Sequence, residues 1–246
     1  MDLGLEGRRA WVLGGSSGLG RAAAASLAGE GALVAVSARD RDRLHAAARE
    51  IHAAAVPLDL TAGGEAVEAA AKAVVGELGG LDVVVFNHGR PAAGGFAEID
   101  RDQFQVACRT MLEGAFAVTK AVAGHLVRSG SGVIVYVTSS STKEVLPHLF
   151  LSNVMRLGVV GLMKSVAREL GPAGVRALCI APGRFATPPV LEGTGGSRVD
   201  RSSPLGRLGD PAEFGDLVAF VASPRAGYLT GCSVVLDGGH LRAVTA

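Results

Sequence analysis

Ala10-Trp11-Val12-Leu13-Gly14-Gly15-Ser16-Ser17-Gly18-Leu19-Gly20 is the stretch from which the fold is read. Four apolar residues suit a buried strand, a glycine-rich turn follows, and a helical run rich in alanine begins at Gly20. Gly14 makes the sharp turn off the strand, Gly18 lets a diphosphate approach the backbone, and Gly20 lets the helix pack close to the sheet. Ser16, Ser17 and Leu19 complete the turn. The helix N-terminus then presents free N–H groups and a partial positive charge to phosphate oxygens. A flexible surface loop would also tolerate these glycines, but the strand–turn–helix context predicts a nucleotide site.

Outward from this stretch, two patterns alternate. Continuous apolar runs predict strands at 10–13, 33–36, 83–86, 133–137, 175–180 and 233–236, with a weaker one at 54–58. Helical spacing predicts helices at 20–28, 41–51, 62–78, 101–128, 151–170 and 211–222. Strand–helix alternation with unbroken apolar strands predicts an α/β fold, a doubly wound parallel sheet of about seven strands with both faces covered. Residues 1–246 read as one domain. The stretch 188–204, rich in Gly, Ser and Pro, is long for a loop and is a candidate lid over a substrate.

Composition narrows the function. The chain has 246 residues, of which 48% are hydrophobic and 19% charged, which excludes a disordered polymer. A formal net charge of +1 and only 4% aromatic residues leave no field or stacking platform for nucleic acid. No apolar run long enough for a membrane span and no leader-like segment at the N-terminus is read, and Cys108, Cys179 and Cys232 form neither a disulfide framework nor a metal-ligand cluster. The expectation is a cytoplasmic protein acting on a small molecule, without metal, membrane or nucleic acid. The second strand runs into Ser37-Ala38-Arg39. Ala38 stands where a carboxylate would bind a ribose 2′-hydroxyl, and the Arg39 guanidinium fits a 2′-phosphate, so NADP (NADPH) is favoured over NAD.

Over nearly its whole length the sequence resembles the short-chain dehydrogenase/reductase family, and among its members the 3-oxoacyl-carrier-protein reductase-like proteins. The TGxxxGxG motif is similar to Leu13-Gly14 through Gly20, with Leu13 in place of threonine. The acidic adenine contact resembles Asp59 in Leu58-Asp59-Leu60, and the NNAG motif resembles Phe86-Asn87-His88-Gly89. The PGxxxT motif matches Pro182-Gly183-Arg184-Phe185-Ala186-Thr187, whose threonine in the family contacts the nicotinamide carboxamide. The resemblance implies a dinucleotide held by these residues. It also implies self-association as a homodimer or homotetramer through the segments 101–128 and 151–170.

The family's catalytic Asn, Ser, Tyr and Lys are only partly present. Ser139 follows the fifth strand where the family serine stands, but alignment puts Met111 at the asparagine, Ser152 at the tyrosine and Arg156 at the lysine. Leu178 likewise replaces an asparagine before the PG motif. The four-residue spacing of Ser152 and Arg156 keeps both on one helical face. A serine hydroxyl is far too weak an acid for the tyrosine's role, and an arginine does not donate its proton at neutral pH. Arg156 retains the capacity to hold a ribose hydroxyl or, with Ser139, an oxyanion. The proton would come from water, from His148 ahead of the Ser152 helix, or from His88, since an ordinary histidine titrates near neutrality. Against these roles stand a surface position for His148 and a packing role for His88. Two functions follow: an NADP(H)-dependent oxidoreductase with a non-standard site, or a non-redox protein of this fold, a cyclase, dehydratase or cofactor-binding regulator.

Overall fold

The apolar runs pair as one seven-stranded sheet, every strand parallel, in the order β3-β2-β1-β4-β5-β6-β7. The computed structural model describes residues 2–244. The strands are β1 Arg9–Leu13, β2 Leu33–Ser37, β3 Ala54–Ala55, β4 Val83–Phe86, β5 Val133–Val137, β6 Arg176–Pro182 and β7 Ser233–Leu236. The helices are α1 Gly18–Gly29, α2 Arg41–Glu50, α3 Gly64–Leu78, α4 Arg101–Ala107, α5 Gly114–Arg128, α6 Phe150–Leu170, α7 Pro188–Gly193 and α8 Pro211–Ala222.

The strands look unbroken in sequence because both faces are buried. In β1, Trp11 and Leu13 enter a core with α3, α5 and α6. Ala10 and Val12 enter the opposite core with α1, α2 and α8. Trp11 satisfies its indole N–H on the Ser37 hydroxyl at 2.9 Å, as a buried donor requires. The helix α6, continued to Ala173, is long and apolar enough to cross a bilayer. Here Val159, Met163, Val166 and Ala167 place that apolar side in the sheet core.

Three expectations need correction. The weak strand 54–58 pairs only over Ala54–Ala55, and the chain then turns at Asp59 into a short 3-10 segment, Leu60–Ala62. The predicted helix 101–128 is not continuous: between α4 and α5 the backbone widens into a π-helical stretch, Cys108–Glu113, a distortion frequent near functional sites. Met111, on this stretch, is fully buried with Ala107, Leu151 and Met155, so packing within that cluster accompanies the distortion. The lid 188–204 is not wholly loop. It opens with α7, where Pro188 pre-sets the first helical turn, and a bridge pairs Val199 with Arg207.

Candidate active site

The strand order reverses between β1 and β4, and the crevice at their C-terminal ends is where such sheets bind ligands. Gly14 turns there with φ +63°, and a Cβ on it would come 2.5 Å from the Asn87 amide nitrogen. A Cβ on Gly20 would fall onto the Gly14 carbonyl. Gly18, at φ +54°, would carry its Cβ to 3.3 Å from the Thr187 methyl, so the loops after β1 and β6 touch. Gly15 N–H donates to the Ser37 carbonyl at 3.1 Å. Ser17 is the N-cap of α1 but makes no side-chain bond to it, and the first turn holds no acidic residue. The α1 amides therefore face the turn without a competing side-chain anion. Ser16 and Leu19 are half-buried beside this turn.

The other predicted binding residues surround the crevice. Asn87 Nδ2 donates to the Gly14 carbonyl at 3.4 Å. Gly89 is exposed two residues on, and the Gly183 N–H bonds the Leu236 carbonyl just after Pro182 ends β6. Thr187 caps α7 with its hydroxyl unused in the cap. Asp59 turns one carboxylate oxygen onto the Thr61 amide and hydroxyl at 2.9 and 2.8 Å, and Leu60 packs on the core edge beside it. Arg39 is exposed at the end of β2. A groove of about 490 Å³ runs from Ser16–Gly18 between α1 and α2, walled by the Arg21–Glu50 ion pair. Neither Ser139 nor Arg156 lines that groove. This cradle fits a dinucleotide: backbone is exposed where phosphates need close approach, and two of its glycines have no room for a side chain.

At the end of β5, Ser139 accepts the Ser141 amide on its hydroxyl oxygen at 3.1 Å, leaving its proton free to donate. Ser152, only 5% exposed, shares a hydrogen bond with the Ser141 hydroxyl at 3.0 Å. Sequence reasoning missed Ser141, because only the fold sets it against α6. Arg156 lies one turn beyond Ser152, and its Nη1 donates to the Val137 carbonyl at 3.0 Å and to the Thr138 carbonyl. Its Nε is buried without an acceptor. Burial and the nearby charge of Arg90 push the guanidinium down to about 10, so it stays cationic at neutral pH.

The histidines take the places that stood against their acid roles. His88 is desolvated beside the Arg156 cation, which drives its pKa to about 3. It is therefore neutral near pH 7, and the role of imidazolium acid does not hold. Its Nδ1 lies 2.7 Å from the Gly89 carbonyl, so Nδ1 carries the proton and Nε2 is left as an acceptor. His148 is exposed at φ +57° and contributes its carbonyl to the Gly94 amide at 2.8 Å. It makes no hydrogen bond with Ser139, Ser152 or Arg156. Neither tyrosine replaces the missing acid. Tyr136 is buried in the core against Thr119, and burial raises its pKa. Tyr228 is fully exposed, next to Leu229, whose carbonyl bonds Arg176 at the opposite, N-terminal end of β6.

The lid is latched at its root. Arg184 donates to buried Asp200 at 3.0 Å, and Asp200 also accepts the Ser202 amide and hydroxyl. The C-terminal tail ties in as well, with the Ser203 hydroxyl on the Gly238 carbonyl and the Arg242 amide on Glu144. Arg184 is thus paired with Asp200.

A family model described as enoyl-(acyl carrier protein) reductase matches residues 14–240. The 2-dehydro-3-deoxy-L-rhamnonate dehydrogenase (NAD(+)) of Sphingomonas sp. is 35% identical over 239 residues, covering 95% of each chain. The 3-oxoacyl-[acyl-carrier-protein] reductase of Vibrio cholerae is 32% identical over 243 residues, covering 96% of this chain and 98% of its own. The structure of L-sorbose reductase from Gluconobacter frateurii, complexed with NADPH and L-sorbose, aligns with TM-score 0.92 at 28% identity, over 99% of this chain and 100% of that one. Sheet order, glycine cradle and these likenesses agree: the chain belongs to the short-chain dehydrogenase/reductase family of NAD(P)-binding oxidoreductases.

Proposed function

We propose that this protein is an NADP(H)-dependent oxidoreductase that interconverts a carbonyl and a hydroxyl group on a small molecule without a tyrosine acid. One observation carries the reading. Arg156 is tied to the carbonyls of Val137 and Thr138, the residues that lead directly into Ser139. A fixed cation and a hydroxyl proton donor therefore sit together at the end of β5, and such a preorganised pair stabilises an oxyanion. When bound, the dinucleotide supplies or accepts a hydride at its nicotinamide ring. Gly14, Ser16, Ser17, Gly18, Leu19, Gly20, Asp59, Leu60, Asn87, Gly89, Pro182, Gly183 and Thr187 hold it. Water provides the proton, because His88 is neutral and Arg156 keeps its own.

The preference for NADP rests on Arg39 and on Asp40. Asp40 follows Arg39 in the chain, and it is committed to α2, accepting the Arg43 amide at 3.0 Å and pairing with the Arg43 guanidinium at 3.2 Å. Its oxygens are thereby engaged by Arg43, and Arg39 remains for a 2′-phosphate. A fluorescence titration tests this. NADPH is expected to bind at least about tenfold more tightly than NADH, and Arg39→Ser to remove most of the difference. Equal affinities in the unaltered protein would end the assignment.

Second copies of the chain are the proposed partners, seated on α5 and α6, where Phe116 and Leu157 stand more than half exposed. Sedimentation velocity giving only a monomer would refute that. The non-redox reading is favoured by one observation: among the described residues no titratable side chain hydrogen-bonds the Ser139 hydroxyl or Arg156. Hydride transfer from bound NADPH to any carbonyl substrate decides against it.

A further inference from the structure

We propose that the C-terminal segment 237–242 is a positioning element of the active site, holding the lid to the turn that carries Ser139, and that His240 is its grip on the lid. The tie stands on hydrogen bonds, and its bearing on the cofactor rests on the oxidoreductase reading. After β7 the chain reverses through Gly238 and Gly239, at φ +65° and +81°, where a side chain would be strained. The Asp237 carboxylate accepts the Gly239 and Leu241 amides at 2.9 and 2.8 Å and fixes the reversal. The reversal presses on the site. A Cβ on Gly183 would come 2.7 Å from the Asp237 Cβ, and one on Gly238 would come 2.5 Å from the Ser203 hydroxyl. The loop after β6, the lid and the tail therefore meet.

Two bonds join tail and lid. The Ser203 hydroxyl donates to the Gly238 carbonyl at 2.9 Å, and His240 Nδ1 lies 3.0 Å from the Ser202 carbonyl. A carbonyl only accepts, so Nδ1 carries the proton and donates it. Ser202 in turn donates its amide and hydroxyl to Asp200, which holds Arg184. Another bond leaves the tail on its far side, from the Arg242 amide to Glu144 at 3.3 Å. Glu144 belongs to the compact turn after β5. Its amide bonds the Ser140 carbonyl, and the Thr142 amide bonds the Ser139 carbonyl. Among the described residues no hydrogen bond joins the lid directly to this turn, so the tail is the link.

The lid opens at Thr187, whose methyl approaches Gly18 of the phosphate turn, and continues through α7. Its first residues thus stand at the cofactor cradle, and its last residues are held by the tail. A lid fastened at that second end excludes water from the reacting atoms and slows departure of the dinucleotide. His240 touches neither Ser139 nor Arg156 by a hydrogen bond. It acts through the lid and is a positioning residue.

The test is limited trypsin digestion of the full chain, with the cut after Arg201 followed by mass spectrometry. Arg201 is exposed and precedes Ser202, so cleavage there reads the opening of the held segment. His240→Ala removes one hydrogen bond and should speed this cut about fivefold, while cuts after Arg41 and Arg43 in α2 keep their rates. His240→Asn keeps a side-chain N–H at the place of Nδ1 and should restore most of the parent rate. Glu144→Ala removes a group that bonds no lid residue, yet should speed the same cut about twofold by freeing the tail. Release of NADPH, displaced by excess NADP+ in stopped-flow fluorescence, should be faster in His240→Ala and slow again in His240→Asn. A parent-like cut in His240→Ala or in Glu144→Ala, no rescue by His240→Asn, or acceleration of all cuts together overturns the inference. If the cuts behave as expected and release is the same in every variant, the tail's bearing on the cofactor falls. If no NADPH binds, the oxidoreductase reading falls, and the cut after Arg201 still decides the tie.

Discussion

Replacing His88 by alanine should flatten the acid side of the stability curve. In the folded protein His88 titrates at about 3, held neutral by desolvation first and by the Arg156 charge second. In the unfolded chain it titrates at ~6.5. Between these values the unfolded state binds a proton that the folded state refuses, so stability falls as pH drops below about 6.5 and is unaffected above it. From pH 7.5 to pH 5 the full shift amounts to ~2 kcal/mol, and about 1–2 kcal/mol is expected because the ring is only partly buried. His88→Ala also loses the Gly89 contact and the packing against Phe86, 5.9 Å between ring centroids. That loss of ~1 kcal/mol is present at both pH values and cancels in the comparison. Carboxylates held low by their hydrogen bonds and cationic partners, such as Asp200 and Glu213, weaken both proteins alike on acidification. Urea unfolding at pH 7.5 and pH 5 is the assay. The variant should lose about 1–2 kcal/mol less than the parent over this interval. Identical losses would show that His88 takes up its proton normally when folded, and would return it to the list of acids.

Three further outcomes follow from the geometry. Gly20→Ala puts a methyl onto the Gly14 carbonyl, an atom fixed by the turn, so NADPH affinity should drop at least ~100-fold; an unchanged titration would mean that the cradle is looser than drawn. Met111→Asn restores the family's residue type but leaves an amide among Ala107, Leu151 and Met155. It should cost ~1–3 kcal/mol in urea unfolding without raising turnover, and a stable variant with faster turnover would contradict this. Ser152→Tyr combined with Arg156→Lys should not give a fast reductase of simple ketones. The tyrosine must displace the Ser141 hydroxyl pair in a nearly closed space, and such overpacking costs ~1–3 kcal/mol; rapid turnover by the double variant would refute it.

Much of the architecture was legible because its causes are local. A strand buried on both faces must be apolar at each position, and a diphosphate cradle must have glycine at its turn. Both requirements act on neighbouring residues, so β1 through Gly20 could be read directly. The four-residue spacing of Ser152 and Arg156 was legible for a related reason, since both lie on the single helix α6. The helix break at Cys108–Glu113 was not, since no residue there forbids an ordinary helix.

What tertiary structure alone decided is which charges and hydroxyls meet. Asp200, 4% exposed, folds under Arg184 sixteen residues away and pairs with its charge. Arg90 carried no signal in the sequence, and its charge reaches Arg156 on α6, sixty-six residues away, only in the folded chain. Burial first and the Arg156 charge second make His88 a weak base, and the meeting of α6 with the loop after β5 pairs Ser152 with Ser141. Desolvation and Coulomb energy depend on distance and burial, and the folded chain sets both between residues that lie far apart in sequence.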